Sequence, residues 1–287
     1  MKAEGVRPDT VTFSSLIVPP PAADAMALGS IEGEGAPEQR PSQAAEWLDT
    51  MRQAGVTPDA IVYNKVIACF ARARFPELAE EWLDRMEKDG VAPTVVSFTT
   101  VISAYAKTAQ PDAAYAVLSR MRAYALSPDT VACNAMIDAH ARAGRVFEAR
   151  ALLRRLERGE FADAAPDIVS YTVVLSGLTK RGQLGAAADL MQHMLVNTTV
   201  APDTRCYNTL LAGCAHRRRW ADVEKLLAEM GAAGMSPDQF SYGPLLEACR
   251  RSADRARARS YGKRMLLESG GRIDRPSKRA AAAAEAG

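Results

Sequence analysis

One dipeptide limits what this chain can fold into. Pro-Asp occurs at Pro8-Asp9, Pro58-Asp59, Pro128-Asp129, Pro166-Asp167, Pro202-Asp203 and Pro237-Asp238, with Pro93-Thr94 as a variant. From Asp59 onward the second residue of the pair recurs at steps of 35, 35, 38, 36 and 35 residues. A second marker, at Met51, Met86, Met121, Leu156, Met194, Met230 and Met265, keeps the same irregular beat. Self-similarity at this period is the mark of stacked supersecondary units.

The unit 60–94 shows what repeats. After Pro58-Asp59, the apolar residues Tyr63, Val66, Ile67 and Phe70 follow the i, i+3, i+4, i+7 spacing of a helix with one buried face. A break follows near Ala73-Arg74-Phe75-Pro76. A second helix is then expected from Glu77 to Lys88, with Leu78, Ala79, Trp82, Leu83 and Met86 on its apolar face. Gly90 suits a helix C-cap, and Pro93 prevents continuation. Such a hairpin buries one stripe per helix and completes its core only by stacking on its neighbours. The predicted fold is all-α: a right-handed α-solenoid of helix-turn-helix hairpins, with first helices lining one surface and second helices the other.

Several other classes are poorly served by the sequence. The five cysteines, Cys69, Cys133, Cys206, Cys214 and Cys249, are scattered and never form C-x-x-C, so buried thiols are expected rather than disulfides or zinc ligands. His140, His193 and His216 show no H-E-x-x-H spacing, and no phosphate-binding glycine loop, nucleophile elbow or acidic metal cluster appears. No enzyme, metal or cofactor is therefore expected. No apolar run reaches the roughly 18 residues of a membrane span. The net charge is only +2, so a polyanion partner must be sought in local patterning.

Tyr63-Asn64-x-Val66-Ile67, the break at Ala143-Gly144-Arg145, the methionine-closed second helix and the terminal Gly55-Val56-x-Pro58-Asp59 together resemble the pentatricopeptide repeat. The resemblance covers residues 1–17 and 39–270. Tetratricopeptide repeats have a similar length, but Trp47, Trp82 and Trp220 do not occupy that family's signature site. The resemblance implies single-stranded RNA binding, with about one base read per repeat by a few side chains. It implies that the fifth and last residues address the base edge, that the second packs on the base, and that a basic residue ending the first helix meets phosphate.

The fifth residues are Asn64, Thr99, Asn134, Thr172 and Asn208. Asn and Thr are poor helix formers that hydrogen-bond well, whereas a merely solvated face would bring in Glu, Lys or Gln. The last residues are Thr94, Asp129, Asp167, Asp203 and Asp238, with Asp59 closing the preceding unit. Periodicity alone reads these as N-caps, and the resemblance adds the base edge; the two roles are compatible. The second residues are Ile61, Val96, Val131, Val169 and Arg205, followed by Phe240; packing on the preceding repeat and covering a base are both open. Arg72, Lys107, Arg142, Lys180 and Arg251, with His216 in series, repeat eight residues past each fifth position and suggest a phosphate track. Acids gather on second helices, as at Glu77, Glu80, Glu81, Asp84 and Glu87.

The expected organisation is a partial repeat end plus a degenerate repeat over 1–59, then intact repeats 60–94, 95–129, 130–167, 168–203 and 204–238. A capping repeat at 239–273, where Gly243 and Pro244 stand at the base-reading end, precedes a disordered tail at 274–287. Pro19-Pro20-Pro21 opens a stretch near 18–41 that reads as a disordered insertion or as translated intron sequence. The chain begins inside a repeat end, so a longer array is expected on that side.

The function the resemblance implies is sequence-selective binding of single-stranded RNA, and its pairing of Thr/Asp with guanine and Asn/Asp with uracil implies a core of 5′-GUGU-3′. The resemblance places it in organellar RNA processing, stabilisation or translation, in mitochondrion or plastid. A peptide-binding helical scaffold is the alternative, and the Asn/Thr series argues against it.

Overall fold

The computed structural model describes residue 10 and residues 39–268. The expected partial repeat at 1–17 lies outside the described residues apart from residue 10, and so do most of the insertion near 18–41 and the tail at 274–287. Residues 39–268 form thirteen α-helices, with no strand among them. The first, α1 (Gln39–Gln53), starts inside the stretch read as an insertion. Pro41 falls in its first turn, where the missing N–H would have had no helical partner anyway.

Six hairpins follow: α2 (Ala60–Arg72) with α3 (Pro76–Lys88), α4 (Val95–Lys107) with α5 (Pro111–Ala123), and α6 (Thr130–Arg142) with α7 (Val146–Glu157). Then come α8 (Ile168–Lys180) with α9 (Leu184–Asn197), α10 (Thr204–His216) with α11 (Trp220–Ala232), and α12 (Gln239–Arg251) with α13 (Arg255–Glu268). The chain divides into two compact units, 1–165 and 166–287.

Every first helix starts the same way. The residue before it holds an extended backbone, as at Asp59 with φ −100° and ψ 177°, and its side chain accepts the N–H of the third helical residue. Apolar spacing then buries Val62, Tyr63, Val66, Ile67, Cys69 and Phe70 on α2. Second helices begin at proline where the sequence offers one, Pro76 and Pro111, since proline's φ is preset for a first turn. At the end of α3, Gly90 takes φ +74° while Val91 N–H reaches back to Met86 O at 3.0 Å. This is the paired closure that satisfies the last carbonyls of a helix. The turns inside the hairpins also need one left-handed residue, and Arg74 and Ala109 supply it at φ 64° and 58° without glycine's freedom.

In unit one, α2 packs against α4 and α4 against α6, while α3 and α5 each lie on the first helix of their own hairpin and of the next. In unit two, α8, α10 and α12 pack in the same sequence. Within each unit, among the described residues, no second helix brings a Cα atom within 8 Å of one in another second helix. The more closely packed first helices therefore form the inner layer of each stack, which is an α-solenoid segment. The methionine marker closes the core between the layers: Met51, Met86, Met121, Leu156, Met194, Met230 and Met265 are all buried. The fourth residue of each first helix is buried too, at Tyr63, Phe98, Cys133, Tyr171, Tyr207 and Tyr242. Leu78 departs from expectation: it lies one position off the buried stripe of α3 and is exposed, while Ala79, Trp82, Leu83 and Met86 are buried.

Candidate nucleic-acid interface

Because each fifth residue follows a fully turned-in side chain, it sits at the rim of the buried stripe. Asn64, Asn134, Thr172 and Asn208 are half-buried, and Thr99 is buried with 8 % exposure. The last residue of the same repeat caps the next first helix, and first helices lie side by side. That packing carries the two positions together across the chain. Asn64 Nδ2 donates to Thr94 Oγ1 at 3.5 Å, Thr99 Oγ1 to Asp129 Oδ1 at 3.4 Å, and Asn208 Nδ2 to Asp238 Oδ1 at 3.3 Å. Thr172 behaves differently: its hydroxyl donates to the Ile168 carbonyl at 2.6 Å and lies 3.5 Å from Cys206 Sγ.

The capping role is real at every last residue. Asp59, Thr94 and Asp129 accept from Val62 N (3.0 Å), Ser97 N (3.4 Å) and Ala132 N (2.8 Å). Asp167, Asp203 and Asp238 accept from Ser170 N (2.9 Å), Cys206 N (3.0 Å) and Ser241 N (2.8 Å). At Asp203 the second carboxylate oxygen takes Arg205 Nε at 3.2 Å. Burial acts to raise the Asp203 pKa, but the Cys206 N–H and the Arg205 guanidinium outweigh it, and the net shift is downward.

The second residues stand out from the surface. Ile61 is 61 % exposed, Val96 60 %, Val131 59 %, Val169 41 % and Phe240 68 %. None of them is buried, so these apolar side chains are available to a flat partner. Arg205 is exposed too, drawn toward Asp203.

Arg72, Lys107, Arg142, Lys180, His216 and Arg251 are the final residues of the six first helices, and all are exposed. Arg142 pairs with Asp138 of its own helix (Nε–Oδ2 2.6 Å), and Arg251 with Glu247 (2.9 Å). Lys107 has its pKa lowered, first by desolvation and then by the positive charges of Arg72, Arg74 and Arg142. The expected series is thus a set of cations near enough in unit one to feel one another. On the outer layer, acids are matched by arginine: Arg120 on α5 reaches Glu80 at 2.9 Å and Glu87 at 3.1 Å on α3, and also Asp84.

Two serines that the sequence reading did not single out belong to this site. Ser97 and Ser241, third residues of their first helices, are fully buried, and their hydroxyls lie 2.6 Å from Oδ1 of Asn64 and Asn208. Their signal was present in the sequence as a cap residue followed three positions later by serine.

Comparison with known proteins bears on the same segments. A pentatricopeptide repeat domain model matches 46–108, a PPR repeat family model 202–251, and a PPR repeat model 96–124, 131–161 and 169–197. The chain is 36 % identical over 86 residues to maize pentatricopeptide repeat-containing protein 10, chloroplastic, covering 30 % of this chain and 11 % of the relative. It is similar in fold to the crystal structure of PPR10 in complex with an 18-nt psaJ RNA element, with TM-score 0.60 and 20 % identity, covering 95 % of this chain and 47 % of that one. It is also similar to the PPR domain of Arabidopsis thaliana protein-only RNase P 1 in complex with tRNA, with TM-score 0.53 and 12 % identity, over 67 % of this chain and 98 % of that one. The chain spans about a tenth of the maize relative's length and about half of the PPR10 crystal chain. Matched through five of its hairpins, the chain belongs to the pentatricopeptide repeat family.

Proposed function

We propose that this chain binds single-stranded RNA on its first-helix layer, about one base per repeat. The observation that carries the reading is the recurrent meeting of the fifth and last residues at 3.3–3.5 Å in three repeats, which places two hydrogen-bonding groups side by side at a half-open rim. Exposed Ile61, Val96, Val131 and Val169, with Arg205 in series, supply surfaces on which bases can lie. Arg72, Lys107, Arg142, Lys180 and Arg251 supply the phosphate contacts. The RNA in the PPR10 complex supports the choice of ligand, and the relative's chloroplastic setting supports an organellar site of action in plastid or mitochondrion.

The finer reading assigns guanine to Thr with Asp and uracil to Asn with Asp. The pairs Thr99/Asp129, Asn134/Asp167, Thr172/Asp203 and Asn208/Asp238 then give 5′-GUGU-3′, with Asn64/Thr94 preceding them and accepting a pyrimidine loosely. The chain acts as a binding module without chemistry of its own. Random-pool RNA selection with the purified chain tests this. Enrichment of alternating G and U is expected; capture without base preference would overturn the code, and no capture of RNA would overturn the binding.

A further inference from the structure

The Asn side chains are held from two sides. Asn208 Nδ2 donates to Asp238 Oδ1 at 3.3 Å, and Asn208 Oδ1 accepts from Ser241 Oγ at 2.6 Å. Asn64 is held in the same way, Nδ2 to Thr94 Oγ1 at 3.5 Å and Oδ1 from Ser97 Oγ at 2.6 Å. A carboxylate only accepts, so an amide turned over at Asn208 would set oxygen against oxygen at Asp238. At Asn208 only the orientation with Oδ1 toward the serine satisfies both neighbours. The amide is left with one N–H and one lone pair to offer outward, in a fixed order.

The capping box explains why serine bonds the cap residue: Asp238 N donates to Ser241 Oγ at 3.0 Å, and the serine's one proton can go to Asp238 Oδ1 at 2.9 Å or to the nearer Asn208 Oδ1. It does not explain the 2.6 Å approach to Asn208, nor a second regularity. Asn64 is followed in register by Ser97 and Asn208 by Ser241, whereas Thr99 is followed by Ala132 and Thr172 by Cys206. The sequence keeps the same association at Asn134 and Ser170. Threonine has no amide to orient; its hydroxyl rotates, and Thr172 satisfies its own by donating to Ile168 O.

We propose that the third residue of the following repeat is a positioning residue for base selectivity: a serine there locks the amide of an Asn fifth residue so that it presents donor and acceptor in one order to a pyrimidine edge. The proposal rests on the reading of the inner layer as base-recognising. It makes Asn208 the firmest reader, held by Ser241 and a carboxylate, and Asn64 a looser one, because Thr94 offers a hydroxyl that can accept or donate.

The test uses the full chain as wild type, S241A, S241C and S241T. Ala and Cys already occupy this position at Ala132 and Cys206, so both variants suit the fold. Binding is measured to RNAs that vary only the base opposite repeat 204–238, and exchange of the Asn208 side-chain amide protons is followed by NMR without RNA. The expected result is that S241A and S241C lower the uracil preference at that base by about threefold to tenfold, the worth of one hydrogen bond. Preferences at other bases should be unchanged, amide exchange should be faster, and S241T should restore both. A wild type that discriminates while S241A and S241C discriminate equally well at that base overturns the proposal and leaves the groove reading intact. An equal loss at every base also overturns it, by reducing Ser241 to a structural cap. A folded wild type with no preference at any base overturns both readings.

Discussion

Thr99 and Asp129 meet hydroxyl to carboxylate at 3.4 Å across one whole repeat, although the threonine is only 8 % exposed. A short side chain so deeply set can offer little beyond its hydroxyl. Asn64 and Asn208, at the same place in their repeats, reach further with an amide. The T99N variant should therefore move preference at one base from G to U and leave the others unchanged, measured by selection against a randomised position. T99N combined with A132S should sharpen that preference, since the added hydroxyl stands where Ser97 and Ser241 stand in their repeats. A change of preference at every position would contradict the one-base-per-repeat reading.

Alanine at Arg72, Lys107 and Lys180 should weaken binding to all RNAs alike. The slope of log affinity against log salt should fall by about 0.7 for each phosphate of the single strand that is no longer neutralised. Arg142 is drawn to Asp138 at 2.6 Å, so R142A should cost less than K107A in the same titration. Unchanged slopes would assign these side chains to plain solvation.

Met86 is fully buried, with Ser97 Oγ 3.8 Å from its sulfur. M86A should destabilise the chain by about 2–5 kcal/mol, the usual cost of a large-to-small change in a closed core. Denaturant melts of helical signal check this.

Acid should weaken the start of α10. The folded pKa of Asp203 lies below its ordinary value because the Cys206 N–H and Arg205 outweigh burial. A depressed folded pKa means that the stabilisation is full above the unfolded value of about 3.9 and is lost as pH falls through the folded one. D203N, which keeps the accepting oxygen but not the charge, should give a melting temperature that varies less with pH below about 4 than wild type. Parallel acid curves for the two proteins would rule the contribution out.

The periodic parts of this fold were legible in the sequence because repetition multiplies weak signals. Asp59 as a cap, Met86 as a core closure and Gly90 as a helix end each follow from local chemistry that recurs. What was not legible depends on chance in single repeats. Arg74 and Ala109 take left-handed turn positions that no propensity would assign them, and Leu78 misses the buried stripe by one position. At the site, the meeting of Asn208 with Asp238 and Ser241 comes from two first helices lying in register, which no single repeat contains. Thr172 turning onto its own helix is a choice between two nearby acceptors, which spacing does not decide.

Neighbouring hairpins in unit one are joined by unlike materials in the two layers. First helices approach with Cα atoms within 8 Å, whereas α3 and α5 are tied through long side chains, Arg120 to Glu80, Asp84 and Glu87. Close packing is stiff, and half-exposed ion pairs are individually weak and screened by salt. The stack therefore has a fixed seam on one side and an elastic one on the other. Bending should open or close the outer seam first, changing the pitch of successive hairpins while each meeting of fifth and last residues stays intact.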